Sequence, residues 1–329
     1  MKRALTLLFA AGAFVLGVHA ALAGPSRAAA QTGVVVVETN LAFENGEAAG
    51  TGIVLTPNGE VVTNNHVIRG ASTVKIVVPQ TRKTYTARVV GYTVTGDVAV
   101  LQVQHASGLA TVALGSSASL KVGQSVTAVG NAGGAGSLAV TTGKVTGLAR
   151  AITVSDDQGG AERLAGLVET DAQLQPGDSG GPLLDAAGHV IGIDTAASAG
   201  FSFRDANDGY AIPIDRVVAI AKQVVAGRGS TTVHVGKTAF LGVQVQPADA
   251  FGGGGVLVGG DVAGGPVAKA GLRAGDIITA LNGRSVASPG ALVAALLVHH
   301  PGDTITLTWQ DRLGTAHRAK VTLASGPPQ

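Results

Sequence analysis

The chain has 329 residues, 46% of them hydrophobic and 13% charged, with a formal net charge of +2. That length allows two or more domains with buried cores. A near-balanced charge, with no basic cluster interleaved with aromatics, argues against a nucleic-acid partner, and the absence of cysteine excludes disulfides, thiol catalysis and a lipidated N-terminal cysteine.

Lys2 and Arg3 precede an apolar stretch over residues 4–23 that ends in Ala21-Leu22-Ala23. This is the pattern of a secretory signal with a small-x-small cleavage site. The stretch approaches the length of a membrane span, so an uncleaved signal anchor is the alternative. Both readings put the body of the protein outside the cytoplasm, secreted, periplasmic or at the cell envelope. Residues 24–31, with Pro25, Ser26 and an alanine run, are expected to be a linker.

From Val34 to about Tyr210 the pattern is short β-branched runs divided by turn signals. Strands are expected at 34–37, 52–55, 60–63, 73–78, 87–91 and 98–103, then at 125–129, 138–148, 167–170, 181–184 and 190–194. Pro57-Asn58-Gly59 marks a hairpin turn. Many short strands at near-regular spacing predict an all-β sandwich or barrel pair. A helix is expected from 214 to 225, with Ile214, Val217, Val218, Ala221, Val224 and Val225 on one apolar face. Asp215 suits its start and Gly227 its stop.

The first unit is therefore expected over 32–228, followed by a linker at 229–238. The pattern restarts in a second unit at 239–325, with strands at 240–245, 256–261, 276–281, 304–310 and 319–323. A helix over 289–299 begins with Pro289 and turns Leu292, Leu296 and Leu297 to one side. Gly252-Gly253-Gly254-Gly255 lacks a following Gly-Lys-Ser/Thr, so it is expected to be a hairpin loop rather than a phosphate cradle. His299-His300 has no partners at metal-ligand spacing and is expected at a helix end. No metal or cofactor motif is present. The tail, 326–329, is expected to fray.

Three segments carry chemistry. Gly177-Asp178-Ser179-Gly180-Gly181-Pro182 sets a serine on a tight turn whose glycines allow close approach of a substrate backbone. Thr63-Asn64-Asn65-His66 places a histidine just after a strand, and Gly96-Asp97-Val98 places an aspartate at the start of another. A serine hydroxyl is a poor nucleophile until an imidazole takes its proton. A carboxylate must then hold that imidazole in the right tautomer. The order His, Asp, Ser is one known for this triad. The other seven histidines lie in the signal segment, in or near turns, or in the C-terminal unit.

With Leu114-Gly115-Ser116-Ser117, Val129-Gly130-Asn131, Val140–Val145, Glu169–Ala172, Val190–Ile193 and Gly209–Asp215 added to these motifs, the sequence resembles the HtrA/DegP family of chymotrypsin-fold serine proteases. The resemblance implies a mainly β fold of two six-stranded barrels with the site in the cleft between them. It assigns Ser179 as nucleophile, His66 as base and acid, and Asp97 as the orienting carboxylate. It makes Gly177, Asp178 and Ser179 the oxyanion-hole segment, with the N–H groups of Gly177 and Ser179 as donors. Loops 150–166, 172–178 and 194–208 match the activation and specificity loops.

Thr195, Ala196 and Ala197 are then expected to line the specificity pocket and favour aliphatic side chains. Asp194 would draw a basic one if it pointed inward. Many members of the family have Asn before the serine, whereas this chain has Asp178. Either it takes a cationic or N–H partner that sets the turn, or it is a surface cap.

The C-terminal unit resembles a PDZ domain (α+β) on Phe240-Leu241-Gly242-Val243, Gly265–Leu272, Gly275-Asp276-Ile277-Ile278 and Asn282-Gly283. Phe240, Leu241, Gly242 and Val243 would receive a peptide C-terminus, which would add as a strand. The expected function is an extracytoplasmic serine endopeptidase for unfolded or exported proteins, regulated by C-terminal peptides and resembling a family that commonly forms trimers. The alternatives are a chaperone or stress sensor with weak proteolysis, and a pure PDZ adaptor, against which the complete triad argues.

Overall fold

The computed structural model describes residues 24–41, 46–155, 161–195, 209–248 and 254–329. The signal segment, Ala196 and Ala197, most of loop 194–208, the tip of loop 150–166 and Gly252-Gly253 lie outside the described residues.

The first barrel comprises β1 (Val34–Leu41), β2 (Glu47–Val54), β3 (Glu60–Thr63), β4 (Ala71–Val78), β5 (Lys83–Thr93) and β6 (Val98–Val103). They pair in the order β5-β4-β1-β2-β3-β6, and β6 returns to β5 to close the ring. The unbroken valine run in β1 has a simple cause. Side chains alternate across a strand, and here both faces are covered. Val35 and Val37 point into the barrel with Val54, Val61, Ile76 and Leu101. Val34 and Val36 join a second core with Ile53, Val62, Val98, Val100, Ile193 and Ile212, where the two barrels meet. Each such side chain contributes roughly 1.5–3 kcal/mol on burial.

The second barrel is closed by β7 (Ser125–Gly130), β8 (Ala139–Ser155), β9 (Ala161–Thr170), β10 (Pro182–Leu184), β11 (Val190–Thr195) and β12 (Gly209–Pro213). Its interior holds Val126, Ala128, Val145, Val168, Leu183, Ile191 and Ala211. β8 and β9 run further than their apolar patterns, because exposed residues such as Arg150 and Arg163 continue the hairpin ladder beyond the core. The helix α3 (Ile214–Val225) packs against this assembly, after a one-turn α1 (Arg27–Ala30) and a one-turn α2 (Asn65–Ile68) earlier in the chain. It buries Ile214, Val217, Ala221 and Val224; Val225, expected on that face, is exposed.

Three segments expected to be loose are not. Residues 27–30 form α1, where Ala30 is buried and Arg27 and Gln31 donate to the Leu138 carbonyl. Within the 229–238 segment, β13 (His234–Val235) adds to β5 beside the first barrel. The tail is tied: Pro328 and Gln329 carbonyls both accept hydrogen bonds from the first barrel's residues.

The C-terminal unit contains β14 (Thr238–Phe240), β15 (Val243–Pro247), β16 (Val256–Asp261), α4 (Pro266–Ala270), β17 (Ile277–Leu281), β18 (Arg284–Ser285), α5 (Pro289–Leu296), β19 (Thr304–Gln310), β20 (Ala316–Thr322) and β21 (Ala324–Gly326). β15-β16-β17-β19-β20 form one sheet, β18 pairs with β17, and β14 pairs with β21. Its core includes Leu241, Val258, Leu272, Ile278, Leu292, Leu307 and Trp309. α5 starts on Ser288, whose hydroxyl accepts from Ala291 N–H, and ends three residues short of the expected His299. Asp303 accepts from His300 N–H and His299 Nδ1 just beyond it. Gly254 and Gly255 lie in the loop between β15 and β16, which pair antiparallel.

Candidate active site

His66 sits in α2, the single turn that follows β3. Asp97 opens β6 with a left-handed backbone, φ +49°. Because β3 and β6 are neighbours, this turn and this strand start at the same end of the barrel. His66 Nδ1 lies 2.9 Å from Asp97 Oδ2, and the His66 backbone N–H donates to Oδ1 at 3.0 Å. Asn64, the residue before the turn, sends its side-chain amide to the Asp97 carbonyl at 2.9 Å. Both groups are buried, His66 to 3% and Asp97 to 5% side-chain exposure. A carboxylate facing Nδ1 keeps the ring hydrogen there and leaves Nε2 as the basic nitrogen.

Ser179 comes from the other barrel, on the turn between β9 and β10. Gly177 and Gly180 have φ of +98° and +85°, the region that favours glycine. Space imposes the same choice, since a Cβ at Gly180 would run into the Thr51 carbonyl and the Thr63 hydroxyl. Hydrogen bonds from the first barrel fix the turn: Thr51 N–H donates to the Ser179 carbonyl at 2.8 Å, and Thr51 Oγ1 donates to the Gly177 carbonyl at 2.7 Å. Gly50 lies between Val67 of α2 and the Ser179 carbonyl, so the turn and the histidine helix share a wall. The structure brings His66 and Asp97 into direct contact and packs the Ser179 turn beside them. No hydrogen bond joins Nε2 to the serine in this geometry.

Within the expected oxyanion segment, the Asp178 N–H is engaged by the Gln175 carbonyl at 3.0 Å. That donor is therefore already occupied within the turn. The Asp178 side chain is buried and accepts the Gln175 N–H through Oδ2 at 2.8 Å. Burial raises its carboxyl above the usual value, and that hydrogen bond opposes the rise. Asp194 is fully buried, and neither carboxyl oxygen has a hydrogen-bond partner among the described residues. Burial, and secondarily the Asp178 charge, hold it well above the ordinary carboxylate range. It presents no carboxylate to solvent that could draw a basic side chain.

Thr195, expected in the specificity pocket, is buried and sends its hydroxyl to Asp97 Oδ2 at 3.2 Å. A threonine at the last position of β11, next to a buried acid, carries no sequence signal for this role. Asn64 and Asn65 carry a visible cue, two amides directly before the histidine, but the sequence shows it only as the setting of His66. Among the described residues, no group of three or more His, Asp or Glu is placed to hold a metal ion, and no helix is long and apolar enough to cross a membrane.

In the C-terminal unit, the Leu241 and Gly242 carbonyls accept from Val267 and Val262 N–H at 3.1 and 2.9 Å. These bonds fix the Phe240–Val243 turn at the entry to β15, against which α5 packs.

Two closed six-stranded barrels with a His–Asp pair on one and a serine turn on the other define the trypsin-like serine-protease class, here with a PDZ unit attached. Comparisons agree on the two units: a trypsin-like peptidase domain matches residues 50–193, and a PDZ domain matches 239–323. The chain is 37% identical to the serine protease PepD of Mycobacterium tuberculosis, over 88% of this chain and 63% of that protein. It is 35% identical to the chloroplastic Protease Do-like 1 of Arabidopsis thaliana, over 89% of this chain and 69% of that one. Against the periplasmic serine endoprotease DegP of Salmonella typhimurium the figures are 34%, 79% and 54%. A solved structure titled as the HtrA-type protease AlgW with decapeptide superposes with a TM-score of 0.52 at 25% identity, covering 93% of this chain and all of that one. The chain belongs to the HtrA/Do-like family of trypsin-like serine proteases with a PDZ domain. It spans between about half and about two thirds of the length of the curated relatives it matches.

Proposed function

We propose that this chain is a serine endopeptidase that cleaves unfolded or exported polypeptides outside the cytoplasm. The observation that carries the reading is the 2.9 Å contact between His66 Nδ1 and Asp97, beside a glycine-bounded turn that holds Ser179. Ser179 Oγ attacks the scissile carbonyl while His66 Nε2 takes its proton, and Asp97 stabilises the imidazolium. The N–H groups of Gly177 and Ser179 receive the oxyanion. The intermediate collapses to an acyl-enzyme as His66 returns the proton to the leaving amine. Water then repeats the cycle on the ester. The Asp97 oxygens gather three hydrogen bonds from His66 and Thr195, an arrangement suited to an acid that must face a cation.

The finer parts of the reading follow the family. Small aliphatic side chains are preferred before the cut. Peptide C-termini dock on Phe240, Leu241, Gly242 and Val243 and regulate turnover. Residues 1–23 direct export, either as a cleaved signal or as an anchor, and the chains assemble as trimers. Relatives named as periplasmic endoproteases support the compartment.

The test is labelling with a serine-directed phosphonate, with the modified residue located by mass spectrometry. Label on Ser179, together with a loss of casein hydrolysis of about 10⁴-fold or more in Ser179→Ala, is the expected result. Equal hydrolysis by both proteins would leave the chaperone or sensor reading in its place.

A further inference from the structure

The turn that carries His66 is held from outside the barrels. Asn65, immediately before His66, is fully buried and donates its side-chain amide to the Gln329 carbonyl at 3.0 Å. Gly70, two residues past the end of α2, donates its N–H to the Pro328 carbonyl at 2.9 Å. Two consecutive carbonyls of one short segment thus bracket the histidine helix. The Gln329 N–H in turn donates to the Tyr92 hydroxyl at 3.2 Å, and that hydroxyl lies 3.2 Å from Thr238 Oγ1 in β14.

The segment hangs from the PDZ unit. Directly before it, β21 pairs with β14, from Thr238 opposite Gly326 to Phe240 opposite Ala324. The same unit meets the first barrel at a second point. Leu297, just past α5, is buried in that barrel's core, and its carbonyl is 2.7 Å from His234 Nδ1 on β13.

A single turn of helix has almost no stability of its own, so its position comes from what it packs against. Asn64 ties one side of the turn to Asp97, and Asn65 ties the other to Gln329. We propose that residues 327–329 form a strap that acts through Asn65 to position His66, so that the geometry of the protease site depends on the docked PDZ unit. Asn65 is a positioning residue here; it acts only through its neighbour. The proposal rests on the serine-protease reading of His66 and Ser179.

The experiment measures kcat and KM on a peptide substrate for the full chain, normalised to the Ser179 fraction that a serine phosphonate titrates, at a temperature well below each variant's Tm. Asn65→Ala, and separately a chain stopped after Gly326, should each lower kcat per titrated site by about tenfold with KM little changed, because a displaced base costs rate rather than substrate binding. The double variant should be no slower than the slower single one, since both break the same link. Tyr92→Phe, which removes one hydroxyl, should move kcat the same way by less, and it serves if the larger changes fail to fold. A normal kcat per titrated site in the variants, even with a lower Tm, would overturn the strap while leaving the protease intact, as would fully additive losses. No label on Ser179 in the unaltered chain would sink both readings.

Discussion

Asp97 and Asp194 are both buried carboxyls within reach of the serine turn, and their surroundings are opposite. Asp97 lies on the histidine wall, where His66 N–H, His66 Nδ1 and Thr195 Oγ1 converge on its oxygens. Asp194 lies behind the serine turn. Its backbone is fully used, with N–H to Gly181 and carbonyl to Gly180, but its carboxyl oxygens receive no hydrogen bond from the described residues. One site is built to hold a negative charge against a changing neighbour. The other is built to hold a shape, and burial favours the protonated form of its acid.

Three substitutions probe that contrast, taken from the largest expected effect down. Asp97→Asn should lower kcat by about 10⁴-fold with the fold intact, because an amide facing Nδ1 favours the wrong imidazole tautomer. Steady-state kinetics with a matched Tm measurement checks it, and a loss under tenfold would mean that the donors around Asp97 do not serve the imidazole. Thr195→Val removes one of three donors and keeps the volume, so a fall of about tenfold is expected, the scale of one hydrogen bond to a charged group.

The smallest effect is on stability and depends on pH. The pKa of the Asp194 carboxyl is raised in the folded chain above its ordinary value of 3.8, so between that pH and the raised value the folded state holds a proton that the unfolded state has released. Stability therefore falls as pH rises through this window. Asp194→Asn keeps the shape and cannot ionise, so it should melt higher than the parent at pH 8, with the advantage shrinking towards pH 4. Parallel melting curves across that range would show that the buried acid costs the fold nothing.

The candidate triad was legible because each proposed member sits in a short, distinctive run: glycines around Ser179, a turn at Asp97, amides before His66. The barrels were legible from alternating valines that face two cores. The extent of β8 and β9 was not, since their outer residues gain ladder hydrogen bonds without apolar burial. Nor was the Asn65–Gln329 bond, which joins residues 264 positions apart and leaves no local pattern in either. Nor was the bond from the Thr195 hydroxyl to Asp97, because the family resemblance marks that position only as part of the pocket wall.

The two-residue strand β13 has a consequence for dissecting the chain. β5 pairs with β4 only as far as Ala87, and with β6 along its other side to Thr93. The stretch from about residue 88 would be an open rim on the β4 side, were it not for His234 and Val235 lying against Tyr92 and Gly91 and Gly236 N–H reaching the Val90 carbonyl. An unpaired rim of this kind invites other chains to stack on it and aggregate. A fragment meant to isolate the barrels therefore has its natural cut after Gly236, beyond the glycine-rich stretch near residue 229 that composition alone marks as the boundary.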